Sequence, residues 1–140
     1  MKIRILIVDD DIGGAQLLKL RLENHGRYKV YTEHSGAGAL PAAHKYRPHV
    51  ILLDVHMPGH DGGEVAAQIR ADSNLHRTPI IFVTALVSAD DYNQGRFISG
   101  GYPFLSKSIG TDQIIACVEH EVARACSDTI ANAPALLVTN

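Results

Sequence analysis

Val50-Ile51-Leu52-Leu53-Asp54, a short apolar run closed by a carboxylate, decides the fold class. A strand with one wet face alternates apolar and polar residues; a continuous apolar run must be covered on both faces. The same form recurs on either side. Ile3 to Val8 (IRILIV) runs into Asp9-Asp10-Asp11, and Pro79 to Ala85 (PIIFVTA) carries Thr84 near its end. Tyr28 to Thr32 is a weaker strand, and Tyr102 to Ser106 is the last, followed by Lys107.

Stretches of helical character separate these strands. Ile12 to Asn24 places Ile12, Ala15, Leu18 and Leu22, and also Leu17 and Leu20, on a broad apolar face at helical spacing, with Gly26 as its stop. Ser35 to Tyr46 is the second helix, which Pro41 must delay or bend. Gly62 to Arg70 is the third. Ser88, with Asp91 three residues on, opens a short fourth helix, which Asn93 and Gly95 weaken and Gly100-Gly101 end. Thr111 to Cys126, with Ile114, Ile115, Val118 and Val122 on one side, is an amphipathic fifth helix. Strands alternating with helices, each strand apolar throughout, predict a five-stranded, doubly wound parallel α/β sheet with five helices. Residues 1–126 form the domain; residues 127–140 are a tail or linker stub, whose apolar Ala133 to Val138 is read as packing on the domain or a partner. Met1 directly before the first strand reads as a natural start.

The composition excludes several classes. The chain has 140 residues, 46% hydrophobic and 20% charged, which suits one domain with a single core and excludes disorder. A net charge of −2 favours neither nucleic acid nor an anionic membrane as partner. Cys117 and Cys126 share one helix and make neither a disulfide framework nor a zinc site. The N-terminal apolar run ends at Val8 before three aspartates, which no secretory signal tolerates. No apolar stretch reaches the roughly 18 residues of a spanning helix. The chain reads as cytoplasmic. His56 and His60 have zinc-like spacing, but Pro58 and Gly59 between them prevent a helix from aligning the pair.

Open parallel sheets bind ligands outside the carboxyl ends of their strands. Four of the five strands end there in a reactive polar residue: Asp9-Asp10, Asp54, Thr84 and Lys107. Taken singly, Asp10 or Asp11 is a helix cap, Thr84 a β-branched strand residue, Lys107 a solvated cation and Asp54 a turn residue. Their placement on one sheet edge favours a joint role. Crowded carboxylates without His or Cys invite Mg²⁺. A carboxylate can attack a phosphoryl group, and a metal, a lysine and a hydroxyl can balance the charge of that transfer.

On these residues the chain resembles the response-regulator receiver family. The matching stretches are Ile5 to Asp11, Leu53 to Gly62, Pro79 to Ala85 and Gly100 to Lys107, in the family's order and at its spacing, over residues 3 to about 126. The resemblance implies a flavodoxin-like strand order 2-1-3-4-5. It implies Asp54 as phosphoacceptor, Mg²⁺ held by Asp10 and Asp54 directly, by the His56 carbonyl, and by Asp9 through water. Thr84 and Lys107 would hold the phosphoryl oxygens, and Phe104 with Thr84 would form the switch. The implied function is two-component signalling: phosphoryl transfer from a sensor histidine kinase or phosphotransfer protein, then contact with a downstream protein. The contact face, made by the fourth helix, fifth strand and fifth helix, is also open to homodimerisation. The domain would catalyse only its own phosphorylation and dephosphorylation, and would itself bind neither nucleic acid nor membrane.

Two departures from the family pattern stand out. Ser108 follows Lys107 where the family usually has proline, so a cis peptide there is not expected, since a non-proline cis bond costs about 2.5–4 kcal/mol. Leu86, two residues past Thr84, is apolar where many members are polar, and with His56 is read as setting the lifetime of the phosphoryl group. The competing reading is a metal-dependent phosphatase with Asp9 as nucleophile and Asp11 as acid. It needs a capping insertion for which the chain has little room, and it leaves Asp54 unexplained. A degenerate receiver that only binds would have lost an acid, the threonine or the lysine, and all are present.

Overall fold

A computed structural model describes residues 1–85 and 96–131. Along the chain these form β1 (Ile3–Val8), α1 (Ile12–Glu23), β2 (Tyr28–Glu33), α2 (Ala39–Tyr46), β3 (Val50–Asp54), β4 (His56–Met57), β5 (His60–Asp61), α3 (Gly62–Ala71), β6 (Ile80–Thr84), β7 (Arg96–Ser99), β8 (Tyr102–Ser106) and α4 (Thr111–Ala131). The helix expected from Ser88, with Asp91, Asn93 and Gly95, lies outside the described residues, as do Leu86 and the apolar tail segment from Ala133 to Val138.

The main sheet has the order β2-β1-β3-β6-β8-β7. Its first five members are mutually parallel, and their order is the 2-1-3-4-5 expected for the five sequence-predicted strands. The continuous apolar runs have the anticipated cause. Odd and even residues of each central strand enter different cores. Ile5, Ile7, Val50, Leu52, Ile81 and Val83 pack with Ala15 and Leu22 of α1 and with Ile114 and Val118 of α4. Leu6, Val8, Ile51, Leu53, Ile80 and Phe82 pack with Ala42 and Ala43 of α2 and with Val65 and Ile69 of α3. Full burial of one such aliphatic side chain contributes about 1.5–3 kcal/mol, so this two-sided packing holds the strand ends, and the polar residues on them, in fixed positions.

The structure corrects the sequence reading at several points. The sheet is not all parallel, because β7 adds a sixth strand, antiparallel to β8. Gly100 and Gly101 do not end a helix there. They form the two-residue turn of the β7–β8 hairpin, with φ of +60° and +84°. The twist of a tight hairpin favours positive φ at both central residues, which glycine adopts without a Cβ clash. A second ribbon, β4 paired with β5, follows Asp54. It turns through Pro58-Gly59, where Gly59 has φ +80°, the proline-then-glycine chemistry of a type II turn.

The second helix begins at Ala39 rather than Ser35, so Pro41 is its third residue. A helix leaves the first N–H groups without internal partners, so the proline removes no helical hydrogen bond at that place. The apolar face of α1 is narrower than its spacing implies: Ala15 and Leu22 are buried, but Ile12, Leu17 and Leu20 are exposed. Ile12 is the first residue after the cap Asp11, at the carboxyl edge of the sheet, where the core has ended. The last helix runs on through Ala131, past Cys126, so residues 127–131 continue α4 instead of beginning a tail. Both cysteines are free thiols, and among the described residues no helix is long and apolar enough to cross a membrane.

Candidate functional site

The parallel strands deliver their polar ends to one edge of the sheet. Asp9 directly follows β1, and its N–H donates to the Glu33 carbonyl at 3.0 Å, which prolongs the β1–β2 ladder by one residue. Its carboxylate is thus set by the sheet. Asp9 Oδ1 accepts the Asp11 N–H at 2.9 Å, and its carbonyl lies 3.0 Å from His34 Nδ1. A carbonyl can only accept, so His34 carries its proton on Nδ1 in this contact. Asp11 itself caps α1: its Oδ1 accepts the Gly14 N–H at 3.1 Å. That contact takes Asp11 as a helix cap, and it stands outside the cluster of carboxylates.

Asp54 ends β3 and pairs in register with Val83 of β6. The chain then turns under the start of α3. Gly62, the first residue of that helix, approaches so closely that a Cβ there would sit 2.7 Å from the Asp54 carbonyl oxygen and 3.0 Å from Val55 Cα. The His56 N–H points at Asp54 Oδ1 over 3.4 Å. His56 is exposed and opens the β4–β5 ribbon, opposite Asp61. Thr84 ends β6 and is buried, and its carbonyl accepts the Lys107 N–H at 2.9 Å.

Asp9, Asp10 and Asp54 each present a carboxylate oxygen within 4.8 Å of the others, the one such group of three metal-ligand side chains among the described residues. Asp54 and Asp9 are only 5% and 8% exposed, while Asp10 is open to solvent. Lys107 reaches in from the far side, its Nζ 2.9 Å from Asp9 Oδ2 and 3.5 Å from Asp54 Oδ2. One cation among three carboxylates leaves an excess of negative charge. Burial, followed by the adjacent Asp9 carboxylate, pushes the Asp54 carboxyl up to about 6 despite the opposing pull of Lys107. Burial alone would lower the Lys107 ammonium, but Asp9 and then Asp54 outweigh it and hold the ammonium above the ordinary lysine range. A compact, oxygen-only, over-charged cluster with one solvent-facing member suits a hard divalent cation that retains water ligands.

The loop carrying Lys107 is secured without proline. Among the described residues every peptide is trans. Ser106 is buried, its Oγ lies 2.7 Å from Ser108 Oγ, and it also accepts the Ser108 N–H at 3.1 Å. Phe104 stands apart from the carboxylates, half-buried in β8. Its ring stacks on Phe82 at 4.8 Å, and Tyr102 meets Phe82 edge-on at 5.2 Å.

Asp9, Asp10, Asp54, Thr84 and Lys107, singled out from the sequence, therefore share one strand edge, and His56 borders it. Sequence reasoning missed His34, Gly62 and the Ser106–Ser108 clip. Gly62-Gly63 opening a helix was the one available signal, since glycine is a poor helix former and its presence needs a reason. His34 shows no such signal; only the fold brings it to Asp9.

Comparison with known proteins agrees with this architecture. A family model, the response regulator receiver domain, matches residues 5–119. The chain is 38% identical over 118 residues to the response regulator PleD of Caulobacter vibrioides, covering 84% of this chain and 26% of that protein. The chain thus spans about a quarter of that relative's length. Among solved structures, the chemotaxis response regulator CheY4 of Vibrio cholerae superposes with a TM-score of 0.70 at 28% identity, over 86% of this chain and 99% of that one. The receiver domain of sensor histidine kinase PA1611 from Pseudomonas aeruginosa PAO1, with a magnesium ion in its active-site cleft, gives 0.73 at 26% identity, over 88% and 99%. With a match over most of its length, the receiver sheet order and an acidic strand edge faced by a lysine, the chain belongs to the response regulator receiver domain family.

Proposed function

We propose that this domain accepts a phosphoryl group on Asp54 and uses its arrival to change a protein-binding face. The observation that carries the reading is the convergence of Lys107 Nζ on Asp9 and Asp54 beside the third carboxylate of Asp10. The donor is a phosphohistidine on a sensor histidine kinase or phosphotransfer protein. An Asp54 carboxylate oxygen forms the new bond to phosphorus, the phosphorus–nitrogen bond breaks, and the departing imidazole keeps the electron pair and takes a proton from water. Transfer of this kind is catalysed chiefly by positioning and charge stabilisation.

Asp10 and Asp54 would hold Mg²⁺ directly, with the His56 carbonyl, and Asp9 would act through water. The ion, when bound, offsets carboxylate charge and draws phosphoryl oxygens to the site. Lys107 balances charge on the transferred group, and the Thr84 hydroxyl donates to it. In the metal-free fold burial and Asp9 raise the Asp54 carboxyl to about 6, so a cation beside it would also favour its ionised, nucleophilic form. Thr84 pairs with Ser106 and, two residues earlier on both strands, Phe82 pairs with Phe104. A shift at Thr84 would therefore be felt at Phe104, coupling the site to a face that includes β8 and α4. That face would meet the downstream partner or a second copy. The domain turns over no separate substrate, and a cytoplasmic location fits its kinase donor.

Incubation with acetyl phosphate and Mg²⁺, followed by intact-mass analysis, tests this reading. One phosphoryl adduct is expected on the wild type, lost with EDTA and in Asp54→Asn. A wild-type protein without adduct, or an equal adduct on the variant, would overturn it.

A further inference from the structure

At the opposite pole of the sheet from Asp54 lies a cavity of about 480 Å³. It is walled by the segment between α3 and β6, by the β7–β8 turn and by the outer part of α4. Its floor is apolar, with Pro79, Ile80 and Pro103, and its walls are basic, with Arg70, Arg77 and Arg124. The one acid in the lining, Glu121, is already engaged: its carboxylate is 2.8 Å from Arg124 Nη2 and 3.1 Å from His120 Nδ1. Neither Arg70 nor Arg77 pairs with an acid among the described residues, so the cavity keeps a surplus of positive charge.

Arg70 is held in place. Arg70 Nη1 donates to the carbonyls of His76 at 3.0 Å and Thr78 at 2.8 Å, and its guanidinium lies 5.4 Å from the Tyr102 ring centre. Those acceptors are neutral, so they orient the guanidinium without cancelling its charge, and its Nε and Nη2 donors have no acceptor among the described residues. The Gly100 and Gly101 N–H groups likewise donate to nothing among the described residues. No atom lies within 4 Å of where a Cβ would stand on either glycine, so the turn backbone is open to an approaching ligand.

We infer that this pocket binds a phosphate monoester carrying a small ring or apolar group. The oriented Arg70 guanidinium, the exposed Arg77 and the two open amides offer more donors than one carboxylate can accept, and a phosphate's three terminal oxygens match them. The cavity greatly exceeds a bare phosphate, and the apolar floor gives the remainder of the ester a surface. A cavity of this size lies within the range of small-molecule sites. The site lies at the other end of the strands from the carboxylate cluster and is independent of the proposed phosphoacceptor role.

The test titrates phenyl phosphate, and separately inorganic phosphate, into the whole chain at constant ionic strength with EDTA present, so that the acidic edge holds no metal. Amide chemical shifts are read by NMR. Saturable shifts centred on Arg77, Gly100 and Gly101 are expected, at roughly millimolar concentration or below. Phenyl phosphate should bind more tightly than inorganic phosphate. Arg77→Gln, at an exposed position with no hydrogen bond or ion pair among the described residues, should weaken phenyl phosphate about tenfold. Shifts that never saturate, that centre on Asp9 and Asp54, or that survive Arg77→Gln unchanged would overturn the assignment. Equal affinity for the two probes would mark an adventitious ion only. Saturation by an aspartate-rich peptide but not by phenyl phosphate would give the pocket to an acidic protein segment instead.

Discussion

Lys107 stands closer to Asp9 than to Asp54: its Nζ is 2.9 Å from Asp9 Oδ2 and 3.5 Å from Asp54 Oδ2. The lysine thus bridges two buried carboxylates instead of pairing with the nucleophile alone. Replacing its ammonium by an uncharged thioether removes the one cation that opposes two acids. Lys107→Met should therefore raise the Asp54 carboxyl further and slow phosphorylation by acetyl phosphate by about 10²-fold, the scale of one lost charge-stabilising group. Mg²⁺ affinity should rise or hold, because the competing ammonium is gone. Adduct formation followed by mass, with Mg²⁺ titration beside it, checks both halves, and unchanged phosphorylation would contradict the role given to the lysine.

The acidic edge should cost the metal-free domain stability. Asp54 has an ordinary carboxyl value of 3.8 and is raised to about 6 in the fold, first by burial and then by Asp9. Between those values the native state binds more protons than the unfolded chain. The stability due to this group is therefore fully present below pH 3.8 and is lost as pH rises through about 6. Asp54→Asn does not titrate, so at pH 7.5 without metal it should be more stable than wild type by about 1–3 kcal/mol, which thermal melts would register as several degrees. The gap should shrink near pH 4 and on adding Mg²⁺ to the wild type. A variant no more stable at pH 7.5 would refute the charge argument.

The Ser106–Ser108 clip should position Lys107. Ser106→Ala removes both the acceptor for the Ser108 N–H and the Oγ contact, at a buried position where about 1–3 kcal/mol of stability is at stake. Phosphorylation should slow about tenfold in Ser106→Ala and recover in Ser106→Thr, which keeps the hydroxyl. Adduct rates measured well below each variant's melting temperature separate positioning from unfolding. Equal rates in all three proteins would show that the clip only stabilises.

Gly62→Ala should disturb the phosphoacceptor from behind. The added Cβ would stand 2.7 Å from the Asp54 carbonyl oxygen, with Val55 Cα and the Phe82 ring close by. Two of those neighbours are backbone and cannot turn aside. A loss of about 1–3 kcal/mol is expected from such overpacking, with slower adduct formation from a displaced Asp54. By contrast Gly63→Ala, whose Cβ would meet only the Asp61 carboxylate oxygen at 3.2 Å, should be nearly silent in denaturant melts.

Much of this molecule was legible from residue order alone. Runs such as VILLD and PIIFVT are apolar throughout because each lies between two helical layers, and that local pattern requires neither long-range information nor a partner. From it follow the parallel sheet, the edge at which ligands gather and the residues Asp9, Asp10, Asp54, Thr84 and Lys107. Tertiary structure decided the rest. The hairpin through Gly100-Gly101 depends on β8 offering a free edge, and glycine pairs end helices and turn hairpins alike. His34 on the Asp9 carbonyl and the basic cavity between α3, the hairpin and α4 join segments far apart in the chain, and Gly62 meets Asp54 only because the ribbon between them turns the chain back. Their spacing is set by how the layers pack, which no local pattern encodes. The sequence by itself determined which side chains meet at the acidic edge; packing alone decided what supports them, and what stands at the other end of the sheet.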